Sequence, residues 1–219
     1  MTARLTFIVA DDHPLFRGAI RETLRSIDEK VDIFEAGDFE AAKKLVAETP
    51  DIDLVLLDLT MPGTSGLSGL VTLRAMQAAV PVVIVSASDD PATIRRALEL
   101  GASGYIKKSS GIDEIRDAVN TVLAGGVASP KNIDLGPESD PDVKDLIQRI
   151  QTLTPQQARV LSMLAEGLLN KQIAYELGVS EATIKAHVSA VLQKLDVDSR
   201  TQAVIRLGKL GLDALQPVT

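Results

Sequence analysis

Residues 54–63 read LVLLDLTMPG. Leu54, Val55, Leu56 and Leu57 form a continuous apolar run of strand length, which suits a strand buried on both faces of a parallel sheet. Asp58 stands at the carboxyl end of that run, and Thr60, Met61, Pro62 and Gly63 break it into a loop. Open α/β sheets bind ligands outside the carboxyl ends of their strands. A carboxylate there has either a structural job, such as capping a loop, or a chemical one. The neighbouring segments decide between them.

Upstream, LTFIVA (5–10) reads as a strand ending at Asp11 and Asp12, and VDIFEA (31–36) as a second. Downstream, VVIVSA after Pro81 is a fourth strand ending at Ser86, and GYIKK (104–108) a short fifth. Helical stretches alternate with them. Pro14 opens the first, Asp38 caps the second to about Glu48, and a looser segment and helix run to Ala79. Asp90-Pro91 starts a helix that stops at Gly101, and Ser110 caps one from Ile112 to Leu123. Five strands alternating with five helices predict a doubly wound parallel sheet.

Gly125-Gly126 ends this unit. Residues 127–140 have the Pro, Gly, Ser and Asp content of a linker, and Asp140-Pro141 starts a helix to about Gln151. Thr154, Pro155 and Gln157 then form a capping box. Helices follow to Gly167, over Asn170–Leu177, from Ser180 to about Leu195, and from Ser199 to about Leu210. Helix, glycine-containing turn, helix is the helix-turn-helix pattern. The expected division is 1–126, a linker with one helix over 127–151, and an all-α four-helix unit over 152–219.

Composition bounds the function. The 219 residues carry a net charge of -7 and 45% hydrophobic content, values of a soluble globular protein. No apolar run approaches the ~18 residues of a membrane span, so no membrane partner is expected. With no cysteine, thiol catalysis and cysteine-based zinc sites are excluded, and a cytoplasmic location fits. Residues 1–126 hold 13 Lys+Arg against 19 Asp+Glu, whereas residues 150–219 hold 7 against 6. An acidic front and a slightly basic back suit different partners.

If the first and third strands are neighbours, Asp11, Asp12 and Asp58 converge. Three carboxylates held together repel one another, and a hard cation relieves this. Oxygen ligands with open positions suit Mg²⁺. Ser86, Lys107 and Lys108 add a hydroxyl and ammonium groups, completing a site for a phosphoryl group on a carboxylate.

IVADDHPLFR, LVLLDLTMPGTSG, VVIVSAS and GASGYIKKSS resemble the receiver domain of bacterial two-component response regulators, which has a flavodoxin-like fold. The resemblance implies that Asp58 is the phosphoacceptor. It implies that Asp11, Asp12 and Asp58 hold Mg²⁺ with the Thr60 carbonyl, that Ser86 turns toward the phosphoryl group, and that Tyr105 is an aromatic switch. The family lysine lies three residues after that aromatic, which selects Lys108. His13 is not expected to be catalytic.

Residues 153–204 resemble the LuxR-type helix-turn-helix of the NarL/FixJ subfamily, which implies a third helix in the DNA major groove and dimerisation through the fourth. The residues agree. Ile184, Val188, Val191 and Leu195 form a buried stripe, and Lys185, Ala186, Ser189 and Lys194 fall off it. Lys185 and Ser189 share a face. Asn170, Lys171, Thr183 and Arg200 lie near helix starts, where phosphate contacts are common. His187 reads as structural.

The implied protein is a regulator and not an enzyme. Its implied partners are a sensor histidine kinase, double-stranded DNA bound as a homodimer, and RNA polymerase. An aspartyl-phosphate hydrolase is disfavoured, because its nucleophile loop usually follows the first strand and precedes a cap insertion. If the resting receiver covers the third helix of the DNA reader, phosphorylation must release it.

Overall fold

The structure is a computed structural model that describes residues 4–64, 66–131, 133, 135, 140–208 and 210. Five strands, β1 (Thr6–Ala10), β2 (Asp32–Ala36), β3 (Leu54–Asp58), β4 (Val82–Ser86) and β5 (Gly104–Lys107), form one parallel sheet in the order β2-β1-β3-β4-β5. β3 is central, and all five of its residues are buried, as its unbroken apolar run requires. Ala10 pairs with Leu57, and Asp58 with Val85. The carboxyl ends of β1, β3 and β4 are therefore level with one another.

Helices α1 (Pro14–Arg25), α2 (Phe39–Glu48), α3 (Ser68–Met76), α4 (Pro91–Glu99) and α5 (Ile112–Leu123) cover the sheet. Ile20, Leu24 and Val119, on α1 and α5, pack on one face. Ala42, Leu70 and Ile94, on α2, α3 and α4, belong to the core on the other. The caps at Asp38 and Asp90 form as expected. Asp38 accepts from the Ala41 amide at 2.8 Å, and Asp90 from the Thr93 amide at 2.9 Å. The cap expected from Ser110 does not form. Gly111 takes the N-cap position without a side-chain bond, and the Ser110 amide instead closes a turn onto the Lys107 carbonyl. Ser110 sits one residue too early to cap.

Asp90 offers a test of local stability. Its Thr93 hydroxyl and amide bonds hold the carboxyl below the usual carboxylate value. Its contribution is thus present above the ordinary carboxylate pKa and is lost as pH falls through the lowered one. Asp90→Ala is expected to cost about 1 kcal/mol at neutral pH, as loss of an N-cap does, read from the urea midpoint. Equal midpoints at neutral pH would count against the cap.

The expected linker begins on the sheet. Ala128 bridges Gly104 in parallel and accepts from the Tyr105 amide at 2.9 Å. A Cβ on Gly104 would stand 3.0 Å from the Ala128 Cβ, so glycine permits this close approach.

The C-terminal helices are α6 (Pro141–Gln151), α7 (Pro155–Ala165), α8 (Asn170–Leu177), α9 (Glu181–Lys194) and α10 (Arg200–Gly208). Thr154 and Gln157 make the capping box at α7. Gly178 ends α8 with φ +64, and Ser180 caps α9. α8 and α9 with this turn form the helix-turn-helix.

The two halves touch. Ser68 and Val71 of α3 line a small gap with Ala158, Leu161 and Ala165 of α7 and Leu207 of α10. Farther along α3, Val71 and Ala75 meet Ile150 and Leu153. The receiver thus docks on α7. It leaves Thr183, Lys185, Ala186 and Ser189 of α9 exposed, so the cover over this helix considered from the sequence is absent at these residues. The small side chains of α7 admit close packing, whereas α9 offers a polar outer face.

Candidate functional site

The strand register builds a pocket at the carboxyl end of the sheet. Asp58 is fully buried and Asp11 is 2% exposed. Asp11, Asp12, His13 and Asp58 each present a ligand atom, and these atoms lie within 4.8 Å of one another. Lys108 Nζ stands 2.8 Å from Asp58 Oδ2 and 2.8 Å from Asp11 Oδ2. Burial works to lower the Lys108 pKa. The hydrogen bonds and charges of Asp11 and Asp58 outweigh it and hold the ammonium above the usual lysine value. Lys107, the other candidate, ends β5 opposite Ser86.

Thr60 donates its amide to Asp58 Oδ1 at 3.2 Å and its hydroxyl to the same oxygen at 3.3 Å. Ser86 is buried at the end of β4, and its Oγ accepts from the Ser88 amide at 3.2 Å. The Tyr105 ring is buried, and its hydroxyl donates to the Ser88 carbonyl at 2.9 Å. Burial pushes the Tyr105 phenol up, against the hydrogen bonds with Ser86 and Ser88. One loop therefore connects Ser86 to Tyr105.

Three side chains not expected to act here join the pocket. His13 Nδ1 lies 2.6 Å from Asp12 Oδ1. Phe16 places its ring centroid 5.2 Å from Lys108 Nζ. Arg17 donates to the Asp11 carbonyl at 2.6 Å and to Glu35 at 3.1 Å. All three lie in the IVADDHPLFR segment, where proximity to the acidic pair was the available signal.

The donor set fits a hard divalent cation. Three carboxylates converge on one side of the pocket, and hard cations prefer oxygen. Asp11, Asp12 and Asp58 are the residues that would hold it.

On α9, Ile184, Val191 and Leu195 are buried and Val188 half-buried, as the stripe requires. Lys185 pairs with Glu181 at 3.1 Å on the exposed side. Lys171 is exposed on α8 and Asn170 half-buried. Two other basic residues are engaged within the protein. Lys194 donates to the Thr152 carbonyl at 2.7 Å and to Gln157 at 2.8 Å. Arg200 donates to the Leu168 carbonyl. Lys194 thus braces the far end of α9 against the start of α7. His187 is half-buried. No helix among the described residues is long and apolar enough to cross a membrane.

A parallel sheet with an acidic, lysine-sealed pocket beside a helix-turn-helix is the architecture of a phosphorylation-responsive regulator. The family described as the response regulator receiver domain matches residues 7–120, and that of bacterial regulatory proteins, luxR family, matches residues 151–207. The glycerol metabolism activator of Pseudomonas putida is 40% identical over 213 residues, covering 94% of this chain and 96% of that one. The nitrate/nitrite response regulator protein NarP of Escherichia coli (strain K12) is 35% identical over 90% of this chain and 92% of its own. RcsB from Salmonella enterica serovar Typhimurium, solved on a promoter with the phosphomimetic BeF3−, superposes with a TM-score of 0.57 at 23% identity, over 95% of this chain and 100% of that one. The chain belongs to the response regulators of the NarL/FixJ subfamily, DNA-binding transcriptional regulators that join a receiver to a luxR-type helix-turn-helix.

Proposed function

We propose that a partner histidine kinase phosphorylates Asp58 and that this controls transcription through α9. The observation that carries the reading is the burial of Asp58 against Lys108 Nζ, 2.8 Å away, within a cluster of carboxylates. An Asp58 oxygen forms the new O–P bond as the N–P bond of the donor phosphohistidine breaks, and the leaving imidazole takes up a proton. Asp11, Asp12, Asp58 and the Thr60 carbonyl would hold Mg²⁺, which would supply positive charge for the phosphoryl oxygens. Lys108 gives up Asp58 for the new dianion, and Ser86 and the Thr60 amide donate to it. Tyr105 reports the movement of Ser86 through the Ser88 loop. Asp58 is itself the acceptor of the phosphoryl group, so the role proposed is that of a regulator and not of an enzyme that turns over a separate substrate.

The reader binds double-stranded DNA as a homodimer, with RNA polymerase as a further partner, in the cytoplasm. Lys185, Ala186 and Ser189 face the groove, and Asn170, Lys171 and Thr183 approach phosphates, while Arg200 holds the Leu168 carbonyl just before α8. Lys194 contributes at the edge, by bracing α9. The units of the chain are the receiver over 1–126, the linker over 127–151 and the reader over 152–219.

Selection of genomic DNA fragments by the full chain tests this. With an acyl phosphate donor a defined set of fragments is expected to be enriched. The donor should have no effect on an Asp58→Asn chain. An identical set from both proteins, with and without the donor, would remove phosphorylation from the account.

A further inference from the structure

Arg17 is a cation held beside a site for a cation. Its side chain is 17% exposed. The guanidinium reaches back from the first turn of α1 to the end of β1 and donates to the Asp11 carbonyl at 2.6 Å. It also donates to Glu35 of β2 at 3.1 Å, and Glu35 accepts from Arg21 at 2.9 Å. A Cβ on Gly37 would stand 3.7 Å from Arg17 Nη1, so the guanidinium lies against the chain just past β2. Asp11 is thereby held at three points. Its amide donates to the Ala36 carbonyl at 3.0 Å, its Oδ1 accepts from the His13 amide at 2.8 Å, and its carbonyl accepts from Arg17. That carbonyl lies just past β1, and a buried carbonyl needs a donor. It also belongs to the peptide that joins Asp11 to Asp12. The peptide is planar, so holding its plane sets the torsions on either side. Those torsions set the directions in which the two carboxylates leave the chain.

We propose that Arg17 is a positioning residue for the metal: it locks the peptide between Asp11 and Asp12 so that both carboxylates meet one cation together. The proposal rests on the reading of the acidic pocket as a Mg²⁺ site. Charge alone gives Arg17 no such part. A guanidinium near the pocket repels a divalent cation, and Glu35 offsets part of that repulsion. The bond to the Asp11 carbonyl is what remains in favour of binding. Residues that bond to a metal ligand and not to the metal govern affinity by orienting the ligand. The two roles differ in sign. If Arg17 acted only through its field, removing it would tighten cation binding. Because it holds the peptide, removing it loosens cation binding, although a repelling charge has gone.

Mn²⁺, a paramagnetic stand-in that also favours carboxylate oxygen, gives a direct readout on the full chain without a phosphoryl donor. The spin-resonance signal of the free ion falls as it binds. Arg17→Met keeps the apolar stem and removes the donor and the charge. Its dissociation constant for Mn²⁺ is expected to rise at least about tenfold, the low end for loss of a residue that orients a metal ligand. Glu35 keeps Arg21 when Arg17 is lost, and the circular dichroism of the variant should match that of the wild type. The double variant Arg17→Met, Glu35→Gln carries the wild-type net charge and should bind about as weakly as Arg17→Met. Arg17→Lys keeps the charge but lacks the planar fork that serves the carbonyl and Glu35 together, so its affinity should fall between wild type and Arg17→Met. It also carries the test if methionine prevents folding, because a role through the field alone predicts no change with lysine. Equal or tighter binding by Arg17→Met, or wild-type binding by the double variant or by Arg17→Lys, would overturn the proposal. Failure of the wild type to bind Mn²⁺ would instead overturn the reading of the pocket as a cation site.

Discussion

Asp58→Asn is expected to abolish labelling by an acyl phosphate. Intact-mass measurement should show one added phosphoryl group on the wild type and none on the variant. Asparagine keeps the size of the side chain and removes the nucleophilic oxygen. The fold should survive, because Lys108 retains Asp11 Oδ2 at 2.8 Å when it loses Asp58. The substitution also removes one charge from a cluster of buried carboxylates, which relieves repulsion. Chelation of Mg²⁺ is expected to slow labelling of the wild type strongly, since Lys108 is then the one cation paired with both the Asp11 and the Asp58 carboxylate among the described residues and leaves much of the negative charge facing the incoming oxygens. Equal labelling of the two chains would place the phosphoryl group elsewhere. Labelling that ignores chelation would remove the cation from the pocket.

Much of this pocket was legible in the sequence because its residues are fixed by strand ends. An apolar run of strand length can end in only one place, and Asp11, Asp58 and Ser86 each follow such a run. Once β1 and β3 are neighbours, with Ala10 opposite Leu57, convergence of the acidic residues follows from register alone. Helix starts were legible for a similar reason. Asp38, Asp90, Thr154 and Ser180 each stand where an orphan amide needs an acceptor. Ser110 shows the limit of that argument, since a cap displaced by one residue leaves the same local pattern.

Contacts between distant parts of the chain were not legible. The outer face of α3 carries Ser68, Val71, Thr72 and Ala75, small or mixed residues that fit a modest solvent face as well as a close-packed contact. Only the position of α7 distinguishes the two. Lys194 and Arg200 are a second case. A basic residue in a DNA reader suggests phosphate, yet each donates to a backbone carbonyl of its own chain. Periodicity locates them on the polar side of a helix and says nothing of the carbonyl that awaits them. The pairing of Ala128 with Gly104 is a third, because the edge of β5 accepts an added strand by backbone bonds that leave little trace in side chains.

The exposed face of α9 sets the last expectation. Lys185 lies on its first turns, off the buried stripe, and pairs only with the exposed Glu181 among the contacts described. Surface ion pairs are worth little, so Lys185 is free to leave Glu181 for a base edge. Lysine can donate to guanine O6 and N7, a contact worth roughly 1–3 kcal/mol of discrimination. Lys185→Ala should therefore weaken binding to a selected fragment more than binding to random DNA. Lys171, exposed on α8, is expected to touch phosphate, which fixes register and carries no sequence information. Lys171→Ala should weaken both kinds of binding alike and lower the slope of log affinity against log salt by roughly one per lost contact. Lys194→Ala supplies the contrast. Its ammonium is held by Thr152 and Gln157, so its loss should lower the thermal stability of the reader and change the salt slope little. A ratio of specific to random binding that is unchanged by Lys185→Ala would make Lys185 one more phosphate contact, and the groove would have to be read by Ala186 and Ser189.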